Sequence, residues 1–305
     1  GGTTPVNTAD VTVTDTNGDG TGDAILTFPG GESITLIDVL PGQVATRLDL
    51  VAIGIPTVPK NFIVEGAPEG GWIHDSYTDP EGDRIDSGDN EAGNDDDLVH
   101  GSDGVDNVVA GNGNDTVIAG GGDDNVSGGI GDDSLVGGAG NDGMEGNDGN
   151  DTLLGGDGND ALYGDGDDDY IDGGAGNDII TGDEGSDMMI GGAGDDTVYG
   201  YYGVYGDDTL IGGETEETTG DRVDYSLIWD NFAVTYTGEE AGTITTDGHK
   251  LTFSEIEEIK LSRGEDTIIG SAGTQNVSTG RGADIVTGGA GDDIFDLGAD
   301  DGAQD

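Results

Sequence analysis

From residue 101 to residue 199 the chain falls into eleven consecutive nine-residue units with no insertion. Asp holds the sixth place of every unit: Asp106, Asp115, Asp124, Asp133, Asp142, Asp151, Asp160, Asp169, Asp178, Asp187 and Asp196. The eighth place is always apolar: Val108, Val117, Val126, Leu135, Met144, Leu153, Leu162, Ile171, Ile180, Met189 and Val198. Gly fills the fourth place of ten units, with Asp167 the exception, and the first place is Gly or Ala throughout. A fixed period of this kind is the mark of stacked repeats.

Without that period the composition would point to disorder. The 305 residues carry 66 acidic and 8 basic side chains, a formal charge of −58, and only 32% hydrophobic residues. Such a balance usually describes a solvated, self-repelling chain. A disordered acidic tail, however, does not hold Asp and an apolar residue two positions apart for 99 residues. The charge excludes nucleic acid and anionic membrane as electrostatic partners and makes cations the natural ones. With no Cys, disulfides and zinc thiolate sites are excluded. No apolar run approaches the roughly 20 residues of a bilayer span, so no membrane span is expected. The start at Gly1-Gly2, without Met or a leader, reads as a mature fragment or a trimmed chain.

The repeat has a physical reading. Glycines at the first, second and fourth places allow positive φ and close backbone approach, so the first six residues make a tight turn. The next three form a short strand with one side chain pointing inward. One unit cannot bury that side chain; stacked units can, in a solenoid with two turns and two strands per 18-residue coil. Identical turns then lie roughly 4.8 Å apart, and two carboxylates at that spacing repel by about 3–4 kcal/mol at an effective dielectric near 20. One inward apolar residue in nine is too little to offset both this repulsion and the ordering of a glycine-rich backbone. A divalent cation between stacked turns converts the repulsion into coordination. Carboxylates and turn carbonyls in a flexible cage favour Ca²⁺ over Mg²⁺, Zn²⁺ or copper.

The units "GGAGNDIIT" and "GGAGDDTVY" show the pattern GG-x-G-x-D-x-apolar-x, which resembles the RTX (hemolysin-type) calcium-binding repeats of type I-secreted bacterial proteins. The resemblance covers 101–199 and resumes over 261–296 with Asp266, Asp284 and Asp293; Asp208 belongs to a repeat stretched by "YYG". It implies a right-handed parallel β-roll with calcium ions between the turns. It also implies export as an unfolded chain that folds on meeting extracellular calcium. The sixth-place Asp residues would be the side-chain ligands. The fifth-place residues Asn114, Asp123, Asp132, Asn141, Asn150, Asn159, Asp168, Asn177 and Asp195 would be secondary ones. Gln275 breaks the Asp series, so no site is expected at its turn. The closing stretch "GAGDDIFDLGADDG" resembles arrays that precede self-processing Hint-type domains.

Beyond the array, residues 1–55 read as an N-terminal β-module. Alternation around "PGG" predicts a β-hairpin near 23–38. Ahead of it Asp15, Asn17, Asp19 and Asp23 take places one, three, five and nine of an EF-hand-like loop, with Gly20 sixth. Leu26 stands where the bidentate Glu belongs, so a plain polar turn is the competing reading. Residues 56–100 read as a linker and irregular cap, 101–211 as the main roll, and 261–305 as further repeats. Between these, 212–260 reads as an inserted antiparallel β-meander against the side or end of the roll.

Chemistry is sparse. His74, His100 and His249 stand far apart with no H-E-x-x-H, and no Ser sits in G-x-S-x-G. The paired carboxylates are repeat ligands rather than a glycosidase pair. Trp72, Trp229 and Tyr201-Tyr202-Tyr205 offer either a sugar-binding face or packing over cap and loop. "GDR" recurs with Arg84 and Arg222. The sequence therefore predicts an all-β, calcium-bound, extracellular and non-enzymatic structural protein: a surface, adhesive, S-layer-like or fibre-forming segment that self-associates, with a cell-surface or glycan partner. The alternative is a secretion and folding module for an exported hydrolase.

Overall fold

The computed structural model describes residues 12–15, 24–27, 33–36, 63–68, 70–73, 96–200, 206–213, 219–246 and 248–298. From Thr116–Gly121 to Met188–Ala193 each strand of the array has six residues, beginning at the seventh place of one unit and ending at the third of the next, as in Ser134–Ala139 and Thr152–Asp157. The strands are thus longer than the three residues expected, and the turn shrinks to places four to six. Alternation along Ser134–Ala139 turns Leu135 and Gly137 inward and sets Ser134 and Val136 toward the outside.

Two of the three glycine places use the left-handed backbone region. Gly138 (φ 113°) and Gly140 (φ 137°) hold the second and fourth places of one unit. The first place does not. In the nine units where it is glycine, the missing side chain leaves space: a β-carbon on Gly146 would lie 2.3 Å from Asp151 Oδ2.

The coil length is 18 residues. Leu135 stands opposite Val117 on one side and Leu153 on the other, and Met144 opposite Val126 and Leu162 in the facing sheet. The pairing is parallel, and the eighth-place side chains from Val117 to Ile180 are almost wholly buried. Among the described residues the roll comprises a 13-stranded and an 11-stranded sheet. Its first rungs are Ile63–Glu65 and Gly71–Ile73, paired with Leu98–Ser102 and Asp106–Asn112, within the stretch read as linker and cap.

The meander is not laid against the roll; it is spliced into one sheet. His249–Ser254 pairs parallel with Asp207–Ile211, then antiparallel with Gly242–Thr246, which pairs antiparallel with Ala233–Tyr236. Ala233–Tyr236 returns to parallel pairing with Thr267–Ile269. In the facing sheet Arg222–Asp224 pairs with Glu258–Lys260, which pairs directly with Asn276–Ser278. The insert brings its own core. Tyr225 stacks on Phe232 at 5.1 Å, and Tyr236 meets Phe253 edge-on at 5.4 Å, alongside buried Ile244, Leu251 and Ile256.

The hairpin expected near 23–38 is present as Ala24–Thr27 against Ser33–Leu36. Thr12–Asp15 adds a third antiparallel strand, and this small sheet belongs to a compact unit of its own.

Candidate metal centre

The eighth-place side chain points inward, and by strand alternation so does the sixth, two positions earlier. All eleven sixth-place aspartates are buried. They form two columns, one at each turn of the coil. The main-chain N–H of each Asp donates to Oδ1 of the Asp one coil further on, as from Asp133 to Asp151 (2.7 Å) and from Asp142 to Asp160 (2.8 Å). That satisfies one oxygen. The other, Oδ2, is buried without a hydrogen-bond partner in Asp115, Asp124, Asp133, Asp142, Asp151, Asp160, Asp169, Asp178, Asp187 and Asp196.

A buried carboxylate oxygen with no donor is costly and calls for a positive partner. The space beside it has the right chemistry. The point where Gly146 lacks a β-carbon is 2.3 Å from Asp151 Oδ2 and 2.8 Å from the carbonyl oxygen of Gly164, one coil on. Gly128 repeats this with Asp133 Oδ2 at 2.3 Å and the Gly146 carbonyl at 3.0 Å, and Gly137 with Asp142 Oδ2 at 2.4 Å and the Gly155 carbonyl at 2.7 Å. Among the described residues no three acidic or imidazole side chains converge on one point. A cation held here would therefore draw on backbone carbonyls as well as carboxylates, the all-oxygen donor set that suits Ca²⁺.

Protonation shows the same strain. Burial, opposed in part by the donated backbone N–H, pushes Asp133 and Asp151 up to about 6. Burial, with repulsion from column neighbours, carries Asp178 to about 7 and Asp169 to about 8. Two changes in occupancy of the first place interrupt the pattern at its start, where Ala110 and Ala119 put a methyl in place of glycine.

Asp106 differs from the rest. Gly71 N–H donates to its Oδ1 (2.9 Å), while Ser102 donates both N–H (2.8 Å) and Oγ–H (2.9 Å) to Oδ2. The protein alone satisfies this carboxylate. The columns also continue beyond the array. Asp187 N–H donates to Asp208 Oδ1 and Asp196 N–H to Asp221 Oδ1. Asp221 N–H in turn donates to Glu257 Oε2. Asp221 keeps a buried, unpartnered Oδ2, yet sequence reasoning missed it, since it lies 25 residues from Asp196 rather than 18. Its only signal is Asp followed two residues later by apolar Val223.

In the later repeats Phe232 N–H donates to Asp266 Oδ1 and Asp266 N–H to Asp284 Oδ1. Gln275 is buried and occupies the ligand place: its N–H donates to Asp293 Oδ1, its Nε2 to the Gly273 carbonyl, and its Oε1 has no partner. It is an amide counterpart of the aspartates rather than a simple gap.

The fifth-place residues build a second, exposed ladder of opposite direction. Asn141 N–H donates back to Asp123 Oδ1, Asn159 N–H to Asn141 Oδ1 and Asn177 N–H to Asn159 Oδ1. Asn114, Asp132, Asn150, Asp168, Asn177 and Asp195 each accept in the same way from the next coil. Asp15 ends the strand Thr12–Asp15, whereas Asn17, Asp19 and Asp23 lie outside the described residues. So do His74, Arg84 and the three tyrosines at 201, 202 and 205. Arg222 has a structural role on the outer face, donating to Thr197 Oγ1 (2.9 Å) and lying 3.6 Å from Glu258.

No curated protein matches the chain. A family model described as the RTX calcium-binding nonapeptide repeat (four copies) matches residues 91–117, 109–144, 118–153, 145–180, 172–201 and 269–302. Regularly buried aspartates in stacked turns and this match agree on multiple Ca²⁺ ions. The chain carries two arrays of RTX calcium-binding nonapeptide repeats, joined through a spliced meander.

Proposed function

We propose that this is an extracellular structural protein whose roll folds, and then self-associates, as Ca²⁺ enters the stacked turns. The row of buried, unpartnered Oδ2 atoms from Asp115 to Asp196 carries the reading. The ligands would be those oxygens and the first-place carbonyls, with the fifth-place side chains supporting the turns from outside. Calcium, when bound, supplies positive charge and oxygen coordination. The residues of the chain do the rest: the Oδ1 ladder aligns each carboxylate, glycine leaves the space, and the apolar column excludes water. Asp106, closed by Ser102, would need no ion.

Self-association is favoured by apolar side chains on the outer faces of the later repeats: Ile285 and Ile294 are 64% and 59% exposed, surface that a second copy can cover once charge is neutralised. A surface, adhesive, S-layer-like or fibre-forming role follows in preference to catalysis.

Circular dichroism and light scattering in chelator, in millimolar Ca²⁺ and in equal Mg²⁺ test the proposal. The expected result is cooperative β-structure and growing particles with Ca²⁺ alone. A compact β-spectrum in excess chelator would overturn the folding part. Strict monomers under saturating Ca²⁺ would overturn assembly and favour a secretion and folding module.

A further inference from the structure

The outward face of the 11-stranded sheet carries a feature that calcium binding does not explain. Its seventh-place column reads Trp72, Asn107, Asn125, Gly143, Ala161 along successive parallel strands. Its ninth-place column reads Val109, Ser127, Glu145, Tyr163. Trp72 and Tyr163 stand at the two ends, with the small side chains Ser127 and Gly143 between them beside Glu145. A cleft of about 340 Å³ results, lined by both aromatic rings together with Asn107, Asn125 and Glu145.

We infer that this cleft binds a neutral glycan lying along the stack of strands. Trp72 is 64% exposed at one end, and Tyr163 borders the other end four strands away. Aromatic rings that are apolar on the face and polar at the rim suit the alternating C–H and O–H surfaces of pyranose rings. A few polar groups on a mostly apolar floor is the usual make-up of a small-molecule site. Asn125 Nδ2 donates weakly to Asn107 Oδ1 at 3.4 Å, which leaves amide donors and acceptors on the floor to meet hydroxyls. Four strand spacings are roughly 19 Å, the length of a short run of β-linked pyranoses.

Charge selects the class of ligand. The cleft contains one acidic residue, Glu145, and no cation, on a chain of net charge −58. A polyanionic glycan would be repelled. A basic peptide would find far more carboxylate at the turns, where Asp123, Asp132 and Asp168 are exposed, than in this cleft.

The chain has two Trp, so Trp229→Phe leaves Trp72 as the sole indole reporter. In saturating Ca²⁺ this variant is titrated with cellohexaose, laminarihexaose, chitohexaose and, as the polyanion, oligogalacturonate. The expected result is a saturable change in Trp72 emission with at least one neutral oligomer, with a dissociation constant on the order of 0.1–1 mM, and none with oligogalacturonate. Gly143 has no left-handed φ, and a β-carbon there meets only Asn125 Oδ1 at 3.3 Å and the Asp124 carbonyl at 4.0 Å. Gly143→Leu should therefore fill the cleft, keep the calcium-induced circular dichroism, and weaken binding at least about tenfold. No emission change with any neutral oligomer, or full binding by Gly143→Leu, would overturn the proposal. Circular dichroism of the same samples separates this from a failure of calcium-driven folding.

Discussion

The regular array and the spliced insert share parallel rungs and one continuous core, but they fill that core differently. Around Leu135, Met144 and Leu153 each rung contributes one aliphatic side chain and one carboxylate oxygen that no donor reaches. Around Phe232, Tyr236 and Phe253 the rungs contribute paired aromatic rings, and Leu251 stands opposite Asp208, where another Asp would continue the column. The first region is incomplete without a cation. The second fills that space with aromatic rings, and keeps an orphan carboxylate oxygen at Asp221. A repeat can thus depend on metal or on aromatic packing within a single sheet, and the choice is made rung by rung.

Chelation should give the largest effect. In hydrogen exchange, strands such as Ser134–Ala139 and Thr152–Asp157 should lose protection in excess chelator, while Gly242–Thr246 and His249–Ser254 keep it, with rates differing by a factor on the order of 100. Equal loss in both would break the comparison. Next in size is pH. Buried aspartates whose pKa is raised favour the folded state fully below their unfolded value, near 4, and that contribution is lost as pH rises through about 6 to 8. In chelator the array should therefore gain β-structure on acidification from pH 8 to 4. With Ca²⁺ present the sign should reverse, because protons compete for the same oxygens. Circular dichroism at fixed free Ca²⁺ reads both arms.

Point variants sharpen the contrast. Phe253→Ala should cost about 3–5 kcal/mol, equally with or without Ca²⁺, in denaturant unfolding of the insert. Asp151→Asn keeps the Oδ1 acceptor and replaces the orphan oxygen. It should cost on the order of 3 kcal/mol, seen only when Ca²⁺ is present, through lost ligand linkage. Asp106→Asn should leave calcium titrations almost unchanged, since Ser102 and Gly71 already satisfy that carboxylate. The smallest effect belongs to the outer ladder: Asn141→Ala removes two exposed hydrogen bonds, one donated to Asp123 Oδ1 and one accepted from Asn159 N–H, and should cost about 1 kcal/mol.

Much of the array was legible because its side-chain spacing is strictly periodic: the 18-residue coil, the inward Asp column and the buried Leu, Val and Met rows all follow from it. Strand length was not, because Gly138 and Gly156 look like turn residues yet pair across the sheet with φ above 100°. Asp221 and Glu257 escaped notice because the columns close over excursions of 25 and 36 residues, which no local period can announce. The meander's place was hidden for a related reason. Antiparallel alternation identifies strands such as Gly242–Thr246, but whether they flank a sheet or enter it depends on partners far away in the chain. Gln275 read as an interruption of the series, whereas burial shows it holding the ligand's position with an amide oxygen.

The unequal strand counts, 13 against 11, carry a topological consequence. Where Glu258–Lys260 pairs directly with Asn276–Ser278, the facing sheet must accommodate two further strands between His249–Ser254 and Thr267–Ile269. Two strand widths are about 10 Å, the same as the separation of packed sheets. Both sheets nevertheless stay continuous, because Ala233–Tyr236 returns to parallel pairing with Thr267–Ile269 while Glu258–Lys260 meets Asn276–Ser278 opposite. A single excursion of the chain can thus lengthen one side of a solenoid by two strands without breaking the hydrogen-bonded continuity of either side.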